Sequence, residues 1–253
     1  MTEKEFYESL NNSADTYQSR GFAMNNKERG LNDAYPVLMR KVYTWMALAL
    51  AITGIIAYGV ASSPAFVSTI FSSSTSVFLL CAVEVGLVLW LSARINKLSL
   101  ATATLLFILY SVVNGVTMSV IFLAYTMASI AKVFFITAGT FGIMAAYGYT
   151  TKKDLSSMGK ICFFALIGMI LATIVNYFTH STMLQYILSY VGVAVFMGLT
   201  AWDTQKIKEM LQDYAYDLSE SSQKIALLGA LNLYLDFINL FIYLLRIFGS
   251  NRD

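Results

Sequence analysis

Hydrophobic positions dominate the chain from Val42 onward, gathering into seven long apolar segments separated by short polar breaks. The pattern predicts helices over Val42–Ser62, Thr75–Ala93, Leu98–Thr126, Ser129–Tyr149, Lys160–Phe178, Met183–Gln205 and Lys224–Phe248, each about the length that crosses a bilayer. The third is long enough to tilt or to kink around Asn114-Gly115. The prolines, Pro36 and Pro64, fall outside all seven, so glycine and polar residues are left to supply any irregularity. Residues 1–41 are polar and mixed in charge, without the apolar core of a cleavable signal peptide, and are expected to form a cytosolic tail; residues 249–253 form a short C-terminal one.

The last segment departs from uniform hydrophobicity. Steps of three and four residues connect Gly229, Asn232, Asp236, Asn239, Tyr243 and Arg246, placing them within roughly a 100° arc of one helix face. The other faces are Leu, Ile, Phe and Ala. A carboxylate turned toward lipid costs a few kcal/mol, about 2.5 to 3.5 on translocon scales, so this face should look onto protein or water and the helix should be central. The plain alternative is that Asn and Asp here only hydrogen-bond neighbouring helices.

Composition fixes the class. With 57% hydrophobic and 13% charged residues, the chain is an all-α multi-pass membrane protein with the lipid bilayer as its first partner. A net charge of +2, with no basic block among aromatics, excludes a nucleic-acid partner. Cys81 and Cys162 lie in apolar runs without metal-ligand spacing, and the single histidine, His180, sits in a short loop, so no metal cofactor is expected. The 17 Lys and Arg residues are divided very unevenly between the two ends of the segments: only Lys132, Arg246 and Arg252 fall on the side away from the N-terminus. The positive-inside rule then puts the N-terminus in the cytosol and, after seven crossings, the C-terminus outside. No retention signal ends the chain, which points to a bacterial cytoplasmic membrane.

Small residues repeat at four-residue spacing as Ser111/Gly115/Ser119, Ala138/Gly142/Ala146 and Ala194/Gly198, the pattern that lets helices approach closely in lipid. Ionisable groups at membrane depth are few: Glu84, Arg94 at the end of the second segment, Asp203 near the end of the sixth, and Asp236. For Asp203 and Asp236 to meet, the first turns of the last helix must lie in the headgroups or cytosol, leaving Leu231–Phe248 to cross the hydrocarbon.

The runs Leu199-Thr200-Ala201-Trp202-Asp203-Thr204-Gln205-Lys206-Ile207, Ala230-Leu231-Asn232-Leu233-Tyr234-Leu235-Asp236-Phe237-Ile238-Asn239-Leu240-Phe241 and Leu244-Leu245-Arg246 resemble the transmembrane Bax inhibitor motif family. The entry to the first helix, Met39-Arg40-Lys41-Val42-Tyr43, and Leu91-Ser92-Ala93-Arg94-Ile95 after the second fit it too. This resemblance implies a seven-helix fold whose last helix is enclosed by the other six. It also implies a calcium leak, with Asp203 and Asp236 as a proton-sensing pair that binds calcium transiently, Arg94 engaging the pair and Glu84 matching an acidic position on the same helix. Calcium and protons are then the ions handled, without a resident cofactor.

The chemistry is compatible with that expectation. Two carboxyls close together in low dielectric cannot both ionise cheaply, so they are expected to share a proton over some pH range. With Asn232, Asn239, Tyr243 and Glu84 as polar lining, the pair gives an incomplete, hydrated calcium site, as permeation needs. Two other classes compete. One is a non-conducting regulator of other membrane proteins. The other is an aspartyl intramembrane protease, but Thr-Ala-Trp precedes Asp203 where Gly-x-Gly is required and the chain has no Pro-Ala-Leu run, so the chain is not expected to be an enzyme. A retinal-type receptor is disfavoured because no lysine lies in the core of the final helix.

Overall fold

The computed structural model describes residues 34–214 and 217–252; most of the expected cytosolic tail, residues 1–33, lies outside the described residues. The helices are α1 (Ala34–Ala61), α2 (Pro64–Phe71), α3 (Ser74–Arg94), α4 (Leu100–Ala124), α5 (Met127–Thr150), α6 (Ser156–Thr179), α7 (Thr182–Tyr214) and α8 (Glu220–Phe248), with a 3-10 turn at Ile95–Lys97. All but the short α2 are long and apolar enough to cross a membrane, so the seven expected spans are present.

Hydroxyl side chains start the helices. Ser73, Ser99, Thr126 and Ser219 each accept a hydrogen bond from a backbone N–H of the first turn, filling one of the donors that a helix start leaves open. His180 ends α6 in the left-handed region, at φ 49°, and is exposed.

Both prolines, expected outside the helices, lie inside them: Pro36 within the described part of α1 and Pro64 at the first position of α2. For Pro64 the reason is that a helix start has no partner for the missing N–H and welcomes the fixed φ. α1 is already helical at Ala34, well before the Val42 expected from the sequence, so the tail is shorter than expected. α7 likewise continues past Gln205 to Tyr214, so much of what reads as a linker after Lys206 is helix. α4 runs unbroken through Asn114-Gly115.

The most apolar window of α8 is 67% buried, against 39% for α7 and less for every other span, which makes α8 the innermost helix. It packs along α7 and against α5 and α4, and its Tyr234 reaches Thr53 of α1. α3 packs chiefly on α4 and α6 on α7, with windows only 6% and 11% buried; Phe78, Leu79, Phe164 and Leu171 are among the large apolar side chains they turn outward, as lipid-facing helices do. Beyond α8, the chain pairs with the α4–α5 connection: Thr126 N–H donates to the Ser250 carbonyl, Arg252 N–H to the Ala124 carbonyl and Ser250 N–H to Ser129 Oγ.

Two of the small-residue repeats do not mark an interface along their length. Ala194, Gly142 and Ala146 are exposed, whereas the close approach of α5 to α7 is at Gly148, whose Cβ, if present, would stand 2.1 Å from the Ala201 carbonyl oxygen. A four-residue repeat identifies a small face but not the helix that lies on it.

Candidate functional site

The polar stripe of α8 faces α7, and the two helices run antiparallel. At one level Gly229 lies against Ile207; farther along, Tyr243 stacks on Phe196 at 5.8 Å between ring centres and covers Gly192, where no side chain would fit. Between these levels the structure brings Asp203 of α7 and Asp236 of α8 near enough for their side chains to interact. Asp236 is 5% exposed and its Oδ2 has no hydrogen-bond partner among the described residues, whereas Asp203 is half-buried. Two carboxyl groups so placed can be joined by a hydrogen bond only when one of them carries a proton, because an ionised carboxylate only accepts.

What surrounds the pair holds α7 in place. Gln205, two residues from Asp203, donates from Nε2 to the Lys153 carbonyl and accepts from Leu155 N–H, both at 2.8 Å, so the α5–α6 connection is pinned to α7. Lys208 donates to the Tyr149 carbonyl at 2.8 Å. Lys206 Nζ lies 4.9 Å from the centre of the Trp202 ring, a cation–π contact on the exposed side. Lys41 Nζ donates to Gln223 Oε1 at 2.8 Å, joining α1 to the first turn of α8.

The remaining expected site residues are placed differently. Asn232 and Asn239 are half-buried on the face of Asp236; Asn239 Nδ2 donates to the Leu235 carbonyl of its own helix at 2.8 Å, so it does not bind α8 to a neighbour. Tyr243 is half-buried and carries Arg246 over its ring at 5.4 Å. Past that ring, a cavity of about 290 Å³ opens at the end of the bundle, lined by Gln185, Ser189, Arg246 and Asn251 among others. Arg94 is not brought to the pair: it is exposed at the end of α3, its side chain in no hydrogen bond or ion pair among the described residues. Glu84 is also separate from it. Its Oε1 accepts from Asn114 Nδ2 of α4 at 3.3 Å, and Asn114 in turn meets Tyr234, which stands about 200° around α8 from Asp236.

That connection belongs to a buried polar cluster that sequence reasoning missed. Asn114 Oδ1 accepts from Tyr234 Oη at 3.0 Å, Tyr234 Oη lies 2.6 Å from Thr53 Oγ1, and Thr53 Oγ1 donates to the Ser111 carbonyl at 3.0 Å. Asn114 in the middle of an apolar run was the available signal; its partners come from α1, α3 and α8, and no local pattern links them. Gln205 was missed for a similar reason, since its two partners are backbone groups far off in sequence.

Known proteins resemble the chain along most of its length. The family model described as Inhibitor of apoptosis-promoting Bax1 (Bax1-I) matches residues 36–253. The chain belongs to that family. The resemblance carried by the Asp203 and Asp236 runs is thereby borne out, and the match takes in α1 to α8 of this Bax1-I protein. Inner membrane protein YbhL of Escherichia coli K12 is 48% identical over 214 residues, covering 85% of this chain and 92% of its own length. An uncharacterized protein of Borreliella burgdorferi is 44% identical over 215 residues, with the same coverage, and protein RP147 of Rickettsia prowazekii is 41% identical over 228 residues, covering 90% of this chain and 95% of its own. None of these names denotes an enzyme.

Proposed function

We infer that this Bax1-I protein is a pH-sensitive calcium leak of a bacterial cytoplasmic membrane, closed by a proton shared between Asp203 and Asp236. The observation that supports the reading is the closeness of the two carboxyl groups on antiparallel inner helices, with Asp236 Oδ2 buried and without a partner among the described residues. The shared proton ties α7 to α8. Its departure leaves two like charges facing each other and breaks that tie, while creating a mouth that attracts cations.

From the pair, the route follows the polar face of α8 past Asn239 to the stacked rings of Tyr243 and Phe196, which close it, and beyond them into the 290 Å³ cavity at the far end. Calcium takes six to eight oxygen ligands, and two aspartates with a few amide oxygens supply fewer. The ion would keep much of its water and pass on instead of lodging. Among the described residues no three His, Cys, Asp or Glu converge, which fits a transit point better than a storage site.

The experiment is calcium flux into proteoliposomes of the purified full chain across a pH series. Flux should rise with pH in the wild type, D203N and D236N should each flatten the response, and the double variant should add little to either, as expected for two groups acting as one unit. A strong pH-dependent flux in the double variant would remove the pair from the mechanism. Absence of flux in a folded wild-type protein would favour the non-conducting regulator.

A further inference from the structure

The cluster around Asn114 contains a proton-counting problem with a definite solution. Four contacts run in series: Glu84 to Asn114, Asn114 to Tyr234, Tyr234 to Thr53, and Thr53 to the Ser111 carbonyl. With Glu84 ionised, the protons available along this line are one from the Asn114 amide, one from Tyr234 and one from Thr53, so four contacts share three protons. If Asn114 donates to Glu84, Tyr234 must donate to Asn114 Oδ1. Thr53 then donates either to Tyr234 or to the Ser111 carbonyl, and one contact stays empty.

Adding a proton to Glu84 solves the count. Its carboxyl donates to Asn114 once that amide turns end for end, the Asn114 NH₂ donates to Tyr234, Tyr234 to Thr53, and Thr53 to the Ser111 carbonyl. Every contact is filled and every donor is reversed up to Thr53. We propose that Glu84 is a second proton-binding site, wired through Asn114 and Tyr234 to Thr53, whose proton fastens α1 to α4 on the side of α8 opposite the aspartate pair.

The location favours coupling over simple solvation. Glu84 lies midway along α3, about 15 Å of helix from either end, where a carboxyl group is costly and is by default functional. Thr117 of α4 also lies beside this carboxyl, its hydroxyl donating to the Val113 carbonyl of its own helix at 3.5 Å. The other titratable groups facing Glu84 are the phenols of Tyr110 on α4 and Tyr234 on α8; α2 has no ionisable residue, Lys97 of the 3-10 turn lies at the far end of α3, and no charged side chain acts on Glu84 among the described residues.

The end of the relay is tightly built. A Cβ on Gly115 would stand 2.9 Å from the Thr53 carbonyl oxygen and 2.8 Å from Ile56 Cβ, so α1 and α4 touch through backbone one turn from Ser111. A hydrogen bond gained or lost by Thr53 therefore acts directly on that contact.

The test reads the cluster without reading flux, so it stands whether or not the aspartate pair gates calcium. Infrared difference spectra between acid and alkaline pH are recorded on the reconstituted full chain carrying D203N and D236N; if that chain does not fold, the difference between wild type and E84Q carries the same signal. One carboxylic C=O band should titrate and vanish in E84Q, and a tyrosine ring band, assigned by its loss in Y234F, should shift with the same midpoint. T53V keeps the side-chain shape but removes the acceptor to which Tyr234 turns, so the carboxylic band should still titrate while the tyrosine shift is lost. A tyrosine band that stays fixed in the wild type, or that moves undiminished in T53V, would overturn the relay. No loss of a titrating band in E84Q would overturn the proton site itself.

Discussion

Gly148 carries more of the geometry than its size suggests, because it lets the backbone of α5 rest on that of α7 two residues before Asp203. An alanine methyl there would stand 2.1 Å from the Ala201 carbonyl oxygen, and backbone cannot swing aside as a flexible side chain can. G148A should therefore force the helices apart and lower thermal stability in detergent by about 1 to 3 kcal/mol, the usual cost of overpacking. An unchanged melting temperature would show that α5 and α7 slide freely at this level. Asn239 illustrates the opposite situation, a polar residue whose hydrogen bond stays within its own helix and leaves its position on the stripe open to solvent or ion.

At the scale of the element, the start of α8 is fastened by side chains that titrate in water. Asp217 Oδ1 accepts from Ser219 N–H at 3.0 Å and from the Ser222 hydroxyl at 3.3 Å, and the hydrogen bonds from Ser219 and Ser222 hold its carboxyl below the usual range. Its folded pKa being depressed, the fastening is present above the ordinary carboxylate range and is lost as pH falls through the folded value. Amide exchange over residues 219–223, corrected for intrinsic rates, should stay slow through neutral pH and quicken only on strong acidification. D217N should quicken it at neutral pH. Equal protection in D217N at neutral pH would show that Ser219, the N-cap, suffices alone. Next to it Glu220 accepts from Leu100 N–H at 2.8 Å and pairs with Lys224 at 3.0 Å, tying the starts of α4 and α8 together.

For the whole molecule, the basic residues set an expectation about orientation. Apart from Lys132, Arg246 and Arg252, the Lys and Arg residues belong to the tail or to the bundle end where α1, α4, α6 and α8 begin. That end should face the cytosol. In a chain with Cys81 and Cys162 replaced, S181C should react with an impermeant thiol reagent from outside intact cells and S156C should not. Reversed labelling would place the aspartate pair near the opposite face of the membrane.

Seven spans, an innermost last helix and a polar stripe upon it were legible in the sequence, because lipid imposes a long apolar run on every crossing and penalises a carboxylate that faces it. The family was legible for a different reason: the Asp203 and Asp236 runs are continuous stretches of chain, readable without knowing their neighbours. Local chemistry also set the helix starts, although Pro64 had to be seen in place before it read as a first-turn residue. Tertiary structure alone decided which polar groups meet. It set Asp203 on Asp236, left Arg94 exposed at the end of α3, and drew Glu84, Asn114, Tyr234 and Thr53 from four helices into one line. Helical periodicity specifies the direction a side chain takes from its own axis; the partner it finds depends on the rotation and depth of a second helix. Those are set by close packing, at places such as Gly148 on Ala201 and Tyr243 over Gly192, which a four-residue repeat in a single segment does not encode.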